Sequence, residues 1–173
     1  MAVAACACGQ VVDERNPNLR FRVPDAVQGV PEIELTQGAW LSHGTARESV
    51  MMQVPDLGAF VRVLLPIQLD RGHTLAYGAW LAVSPDDLRR AFLVWWEPEY
   101  TDLRLDGVLA NAIPPWGLLG IPATATVREP DETPYLTESP DPALANVLKN
   151  TWNHSEVLVG EHGSREGLDR RHR

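Results

Sequence analysis

Between residues 39 and 84, turn residues cut the chain into short β-rich pieces joined by links too short for a crossover. This limits the fold more than any other feature. Ala39-Trp40-Leu41-Ser42 reads as a short strand, and Glu48–Val54, with Val50, Met51 and Met52, as a second that ends at Pro55. After the turn Pro55-Asp56-Leu57-Gly58, the run Phe60–Leu65 is rich in β-formers and stops at Pro66. Asp70-Arg71-Gly72 makes the next turn. His73–Val83 then alternates, with Leu75, Tyr77, Ala79, Leu81 and Val83 on one side and Trp80 on the other. Links this short predict antiparallel neighbours.

Ser84-Pro85-Asp86-Asp87 marks a helix start. Ser84 can cap the first free N–H groups, Pro85 suits the first helical position, and both aspartates favour the positive helix end. Leu88, Ala91, Phe92, Trp95 and Trp96 follow at spacings of three and four, which predicts a buried stripe with Arg89 and Arg90 facing water. Pro98 stops the helix. Downstream, Leu105–Ala110 and Thr124–Arg128 read as strands separated by the loop Asn111–Pro122, with Tyr135–Thr137 pairing with one of them. A second helix starts near Asp141-Pro142 and runs to about Trp152. Upstream, Pro17, Pro24 and Pro31 exclude a long helix from residues 1–35 and leave short strands and loops. The order predicts an α+β fold: an antiparallel sheet with two helices packed mainly on one face. The 173 residues suit one domain, 1–159, with an irregular head at 1–35 and a charged, disordered tail at 160–173.

Charge and composition remove several function classes. With 15 basic against 23 acidic residues, a formal charge of -8 and a pI near 5.0, the chain is poorly suited to gripping nucleic-acid phosphates. No apolar run reaches the ~18 residues that read as a membrane span. The start MAVAACACG lacks the basic and apolar regions of a signal peptide, and two cysteines make no disulfide framework, so a cytoplasmic location is expected. Nucleophile-elbow, phosphate-loop, zinc-protease and dinucleotide motifs are all missing from the sequence.

The candidate chemistry is therefore dispersed. Cys6 and Cys8 can both reach one soft metal, but a structural zinc site takes four ligands, and His43, His73 and His154 are candidates only if folding gathers them. The same pair also reads as two free thiols, and no cofactor is required. Six tryptophans are many for this length. Met51, Arg62, Tyr77, Trp80, Trp96 and Trp116 are candidates to line a ligand pocket, and the apolar ones also read as core. Arg62 sits mid-strand on a face with Phe60 and Leu64; if buried it needs a partner, and Glu48 or Asp70 would serve. His73, Tyr77, Glu97 and Arg62 are the weak candidates for acid–base or anion chemistry. Pro114-Pro115-Trp116-Gly117 lies in a loop long enough to serve as a lid or partner surface.

The order of landmarks resembles a bacterial family, domain of unknown function 2199. The residues that carry the resemblance are Cys6-Ala7-Cys8-Gly9, Phe60-Val61-Arg62 with Pro66, Tyr77-Gly78-Ala79-Trp80, Leu109-Ala110-Asn111-Ala112-Ile113-Pro114 and Asp141-Pro142-Ala143-Leu144-Ala145. The chain departs from the family pattern at its Cys-x-Cys head, at Val12 where a His is usual, at Thr133-Pro134 where Arg-Pro is usual, and near Asp141 where a His is usual. The resemblance implies no activity.

Two functions stay open. One is a small-molecule-binding domain with a Trp- and Met-lined pocket, extending to cofactor-free isomerisation, cyclisation or hydrolysis on an apolar or aromatic ligand. The other is an acidic protein-binding or regulatory module that uses the sheet face and the Pro-Pro-Trp loop. The first requires an enclosed pocket. The second requires a filled core and exposed aromatic surface.

Overall fold

The computed structural model describes residues 4–5, 11–12, 18–153, 156–157 and 168–170. Its strands are β1 (Ala4–Ala5), β2 (Val11–Val12), β3 (Asn18–Phe21), β4 (Trp40–Leu41), β5 (Met51–Val54), β6 (Gly58–Leu69), β7 (Thr74–Val83), β8 (Arg104–Leu109), β9 (Pro122–Thr126), β10 (Tyr135–Glu138), β11 (Thr151–Trp152) and β12 (Leu168–Arg170). The helices are α1 (Glu32–Gly38), α2 (Pro85–Val94) and α3 (Pro142–Lys149).

The hairpin of β6 and β7 is the frame, paired continuously from Ala59↔Val83 to Gln68↔Thr74. From β7 the ladder continues through β8, β9 and β10, and β10 returns to β6 in parallel at Tyr135↔Leu64, so five strands close into a barrel. Outside the ring, β5 and then β4 extend from the start of β6, β11 runs parallel to its end, and β3 runs parallel to the first half of β7 with β12 beside it.

The expected α+β fold, an antiparallel sheet with two helices on one face, is thus corrected to a mostly β fold whose mixed sheet closes on itself and which, among the described residues, carries the helices α1, α2 and α3. Short links dictate antiparallel pairing only between strands adjacent in sequence. The return of β10 to β6 spans some 70 residues of chain and has no local signature. Two local expectations also change. Helix α1 follows Pro31 directly, because proline is tolerated at a helix start as readily as it blocks a helix interior. Strand β6 runs through Pro66 to Leu69. Arg62 donates its N–H to Val50 and Leu64 to Pro134, so even-numbered N–H groups of β6 point away from β7, and the proline lacks only a donor the hairpin does not use.

Pairing fixes what fills the barrel. Val61, Val63 and Leu65 of β6 face Leu81, Ala79 and Tyr77 of β7, and the same side continues through Leu109 and Leu105 of β8, Ala125 of β9 and Leu136 of β10. All are fully buried or nearly so. Five strands enclose little room, which accounts for the small residues Ala79, Gly107, Ala123 and Ala125 on that inner side. A Cβ at Gly107 would collide with the Ala82 carbonyl oxygen and press on the Leu81 side chain.

Helix α2 starts as its sequence signals require: Ser84 accepts from the Asp87 N–H at 3.1 Å, with Pro85 at the first position. Its buried residues are Leu88 and Ala91, and it packs on β5 and β6. Asp141 caps α3 by accepting from the Ala143 N–H at 2.8 Å, and α3 packs on β6 and β10. Of the expected tail, only 156–157 of the preceding link and 168–170 lie within the described residues.

The close approach at Gly107 makes it a sensitive test of ring closure. Gly107→Ala is expected to lower stability by about 2 kcal/mol, a fall of roughly 4–8 °C in Tm. Gly38→Ala, where nothing lies within 4 Å, is expected to leave Tm within a degree or two or to raise it slightly. Equal Tm values for the two variants, measured by calorimetry, would contradict this geometry.

Candidate functional site

Arg62 leaves the barrel on its outer face, directly opposite Trp80, and its side chain is buried with only 4% of the residue exposed. The guanidinium carbon lies 4.3 Å from the Trp80 ring centroid. Nε donates to Ser49 O at 2.8 Å, one terminal nitrogen to Phe21 O at 2.8 Å, and the other to Arg22 O at 3.0 Å and Arg47 O at 3.1 Å. These carbonyls belong to two stretches, 21–22 and 47–49, that cross the outer face. A planar cation with five fixed donors can satisfy such a converging set while its flat face rests on an indole. Expected to pair with Glu48 or Asp70, Arg62 sits in a cage of main-chain oxygens, a grouping that depends on where two loops come to rest.

Asn111, fully buried, works on the other side of Trp80. Its Oδ1 accepts from the Trp80 N–H at 2.9 Å, and its Nδ2 donates to Val23 O and to Asp25 Oδ1, both at 3.0 Å. Asp25 also accepts from the Ala112 N–H at 2.8 Å through its other oxygen, and the Asp25 N–H donates to Ala110 O at 2.8 Å. Arg62, Trp80, Asn111 and Asp25 therefore form one network that pins residues 21–25 across the barrel. The Arg62 donors shown are aimed at backbone acceptors, and the Asn111 and Asp25 side chains bond to one another and to main-chain groups. Asn111 entered the sequence reading only as a family landmark and Asp25 not at all; the signal available was an Asn in a Leu-x-Asn-x-x-Pro stretch, a residue type suited to bridging backbone groups.

The six candidates for a pocket fall in different places. Met51 is buried in β5, opposite Val61. Tyr77 faces the barrel interior and packs edge-on against half-buried Trp116 at 6.4 Å, which in turn packs against Trp152 at 5.1 Å. Trp80 and Arg62 are on the outer face, and Trp96 is exposed at 63%. Two open grooves, of about 240 Å³ and about 370 Å³, are lined by none of the six; Val23, Val27, Leu35 and Arg47 are among the walls of the larger. Of the remaining candidates, His73 sits half-exposed at the β6–β7 turn and Glu97 is exposed after α2. Cys6, Cys8 and His154 lie outside the described residues. Among the described residues no group of three or more His, Cys, Asp or Glu is placed to hold a metal, and no helix is long and apolar enough to cross a membrane.

What the structure does gather is aromatic surface. The predicted buried stripe of α2 is corrected: Leu88 and Ala91 go inward, but Phe92 is 39% and Leu93 67% exposed, as is Trp96 just beyond the helix. Phe92 packs edge-on to Trp96 at 5.5 Å and to Trp40 of β4, itself 40% exposed, at 5.2 Å. The smaller groove opens beside them, walled by Trp40, Gln53, Pro85, Leu88, Arg89 and Phe92. Trp40 and Gln53 are cross-strand partners, so they point to one face of the sheet. Sequence reasoning missed Trp40, Gln53 and Arg89. The available signal was a helix carrying apolar residues at 88 and 91–96, more than one buried face accepts.

A further cluster latches the segment after α2. The Tyr100 hydroxyl donates to Glu132 O at 2.5 Å, and the Tyr135 hydroxyl to a Glu132 carboxylate oxygen at 2.6 Å, with Arg128 stacked 4.8 Å above the Tyr135 ring. Burial, and then the Glu132 charge, push the Tyr100 phenol well up. Tyr135 is pushed up from 10.0 to about 12, first by burial and then by its hydrogen bond and proximity to Glu132, with Arg128 opposing.

Two predictions follow from these clusters. Arg62→Ala, which leaves four carbonyls without that donor, is expected to cost at least about 3 kcal/mol in urea unfolding, with Arg62→Lys recovering only part; a loss under about 1 kcal/mol would contradict the clamp. A folded-state pKa above the unfolded one stabilises fully below the unfolded value and is lost as pH rises through the folded one. The Tyr135 contribution is thus present below pH 10.0 and fades toward pH 12. Tyrosinate absorbance should show Tyr135 ionising near pH 12, and Glu132→Gln should bring it back toward 10.0; an ordinary titration in the wild type would refute the latch.

A family model described as an uncharacterised protein conserved in bacteria, DUF2199, matches residues 5–148. No curated protein and no solved structure matches the chain. The Arg62, Trp80 and Asn111 landmarks that carried the resemblance are members of the one buried network. With the matched span covering most of its length, the chain belongs to the DUF2199 family of bacterial proteins.

Proposed function

We propose that this protein is a partner-binding module whose docking surface is the aromatic patch of Trp40, Phe92, Leu93 and Trp96. The observation that carries the reading is that α2, having buried Leu88 and Ala91, turns a second apolar stripe outward, where Phe92 makes edge-on ring contacts with both Trp40 and Trp96. Large aromatic side chains held in contact at a surface are the usual anchors of protein interfaces. The burial of the barrel's inward side chains is compatible with the same reading. Trp116 is packed on Tyr77 and Trp152, so the surface lies on the helix rather than on the Pro-Pro-Trp loop.

The occupant is a segment of another protein, basic overall. A formal charge of -8 speeds encounter with a basic partner and opposes association of two copies of this chain.

The test begins with affinity enrichment from bacterial cells, using the wild type and a Phe92→Ser/Trp96→Ser variant as baits. A partner identified by mass spectrometry is then purified and recombined with each. The expected result is binding at least about tenfold weaker for the variant, with Tm nearly unchanged because both side chains are exposed, and weakening as salt is raised. Equal binding of the purified partner to both forms, or no partner that distinguishes them, overturns the reading.

A further inference from the structure

The groove beside the patch has a composition that narrows what it accepts, and this inference rests on the docking reading above. Trp40, Pro85, Leu88 and Phe92 form apolar walls, and Gln53 and Arg89 supply the polar rim. At about 240 Å³ it is smaller than the ~300–1,000 Å³ of pockets that enclose whole small molecules, and suits a single side chain. The two adjacent arginines of α2 differ in their engagements. Arg90 donates to Asp87 at 2.9 Å and to Arg104 O at 2.8 Å, so its guanidinium is held away from the groove along the helix. Arg89, in contrast, has no hydrogen bond or ion pair among the described residues and lines a groove whose exposed surface is about equally polar and apolar. Asp86 and Asp87 near the start of α2, with Asp87 turned to Arg90, leave Arg89 as the guanidinium available to an incoming group.

We infer that the groove seats one aliphatic or aromatic side chain of the partner segment, and that Arg89, with Gln53 beside it, receives a carboxylate of an acidic residue next to that anchor. The partner segment is therefore basic overall but carries an apolar residue followed by Asp or Glu at the point of contact. The guanidinium offers paired N–H donors to the two carboxylate oxygens, and the Gln53 amide can donate a further bond. An apolar slot alone would accept hydrophobic residues without discrimination; the arginine makes the choice depend on the neighbouring charge.

The experiment uses the intact protein and two capped dipeptides that differ only in charge, acetyl-Phe-Asp-amide and acetyl-Phe-Asn-amide, titrated at low salt and followed by the NMR signals of the Trp40 indole N–H and the Arg89 Nε–H. The expected result is movement of both signals and affinity about fivefold higher for the Asp peptide. In Arg89→Gln that ratio falls to about one; a ratio that stays near five in this variant overturns Arg89 as the receiver of the carboxylate. Equal affinity of the two peptides for the wild type overturns the carboxylate preference and leaves the aromatic docking surface standing. Movement confined to signals outside the groove, or no movement with either peptide at millimolar concentration, overturns the groove as the anchor site. Loss of the docking surface itself is read separately, by the Phe92→Ser/Trp96→Ser bait.

Discussion

The guanidinium of Arg62, lying flat on Trp80 and donating to the carbonyls of Phe21, Arg22, Arg47 and Ser49, is the contact on which the rest of the molecule depends. It stands on the outer wall of the barrel, where the strand pairing alone would present an indole and an arginine to water. By drawing in two stretches of irregular chain, it gives the outer face of the β6–β7 hairpin a cover and gives the carbonyls of that cover a donor they would otherwise lack away from water. Asn111 completes the arrangement from the other edge of β7, using both ends of its amide at once. Residues far apart in sequence are thereby joined through polar groups, so the outer layer of this fold is set by hydrogen-bond geometry more than by hydrophobic packing.

The inner layer follows different physics. A five-stranded ring has little interior space, and small residues relieve it: Ala79 faces Val63, Ala125 faces Leu105, and Gly107 faces Ala123. A barrel filled in this way leaves its interior to packing. The exterior exposes aromatic groups where α2 lies against β5 and the short strand β4 stands at the end of the sheet. The helix is capped and Trp40 is held by pairing to β5, so under the proposed reading the patch would need little ordering on binding.

Local signals in the sequence were legible where chemistry acts over a few residues. Ser84-Pro85-Asp86-Asp87 marked the start of α2 and Asp141-Pro142 the start of α3, because capping satisfies N–H groups two or three residues away. The alternation of His73–Val83 correctly separated Tyr77 from Trp80, since strand geometry sends neighbours to opposite faces. The reading failed where the outcome depends on distant chain. Phe92 and Trp96 fit a buried stripe by spacing, yet spacing gives only the angle around the helix and says nothing of how much of the circumference the sheet beneath can cover. Arg62 was recognised as a polar residue needing partners. That those partners are carbonyls was hidden, because every residue has a carbonyl and only the path of the chain selects four of them.

By itself, the sequence determined the β-rich hairpin units, the capped helices, the acidic charge and the family landmarks, all of which arise from residue type and short-range geometry. Only the tertiary structure decided that β10 returns to β6 and closes the ring, that Arg62, Trp80, Asn111 and Asp25 are one network, and that the aromatic residues of α2 meet Trp40 at the surface. Each of these joins groups separated by tens of residues, and the free energy of such a contact exists only once the intervening chain has folded.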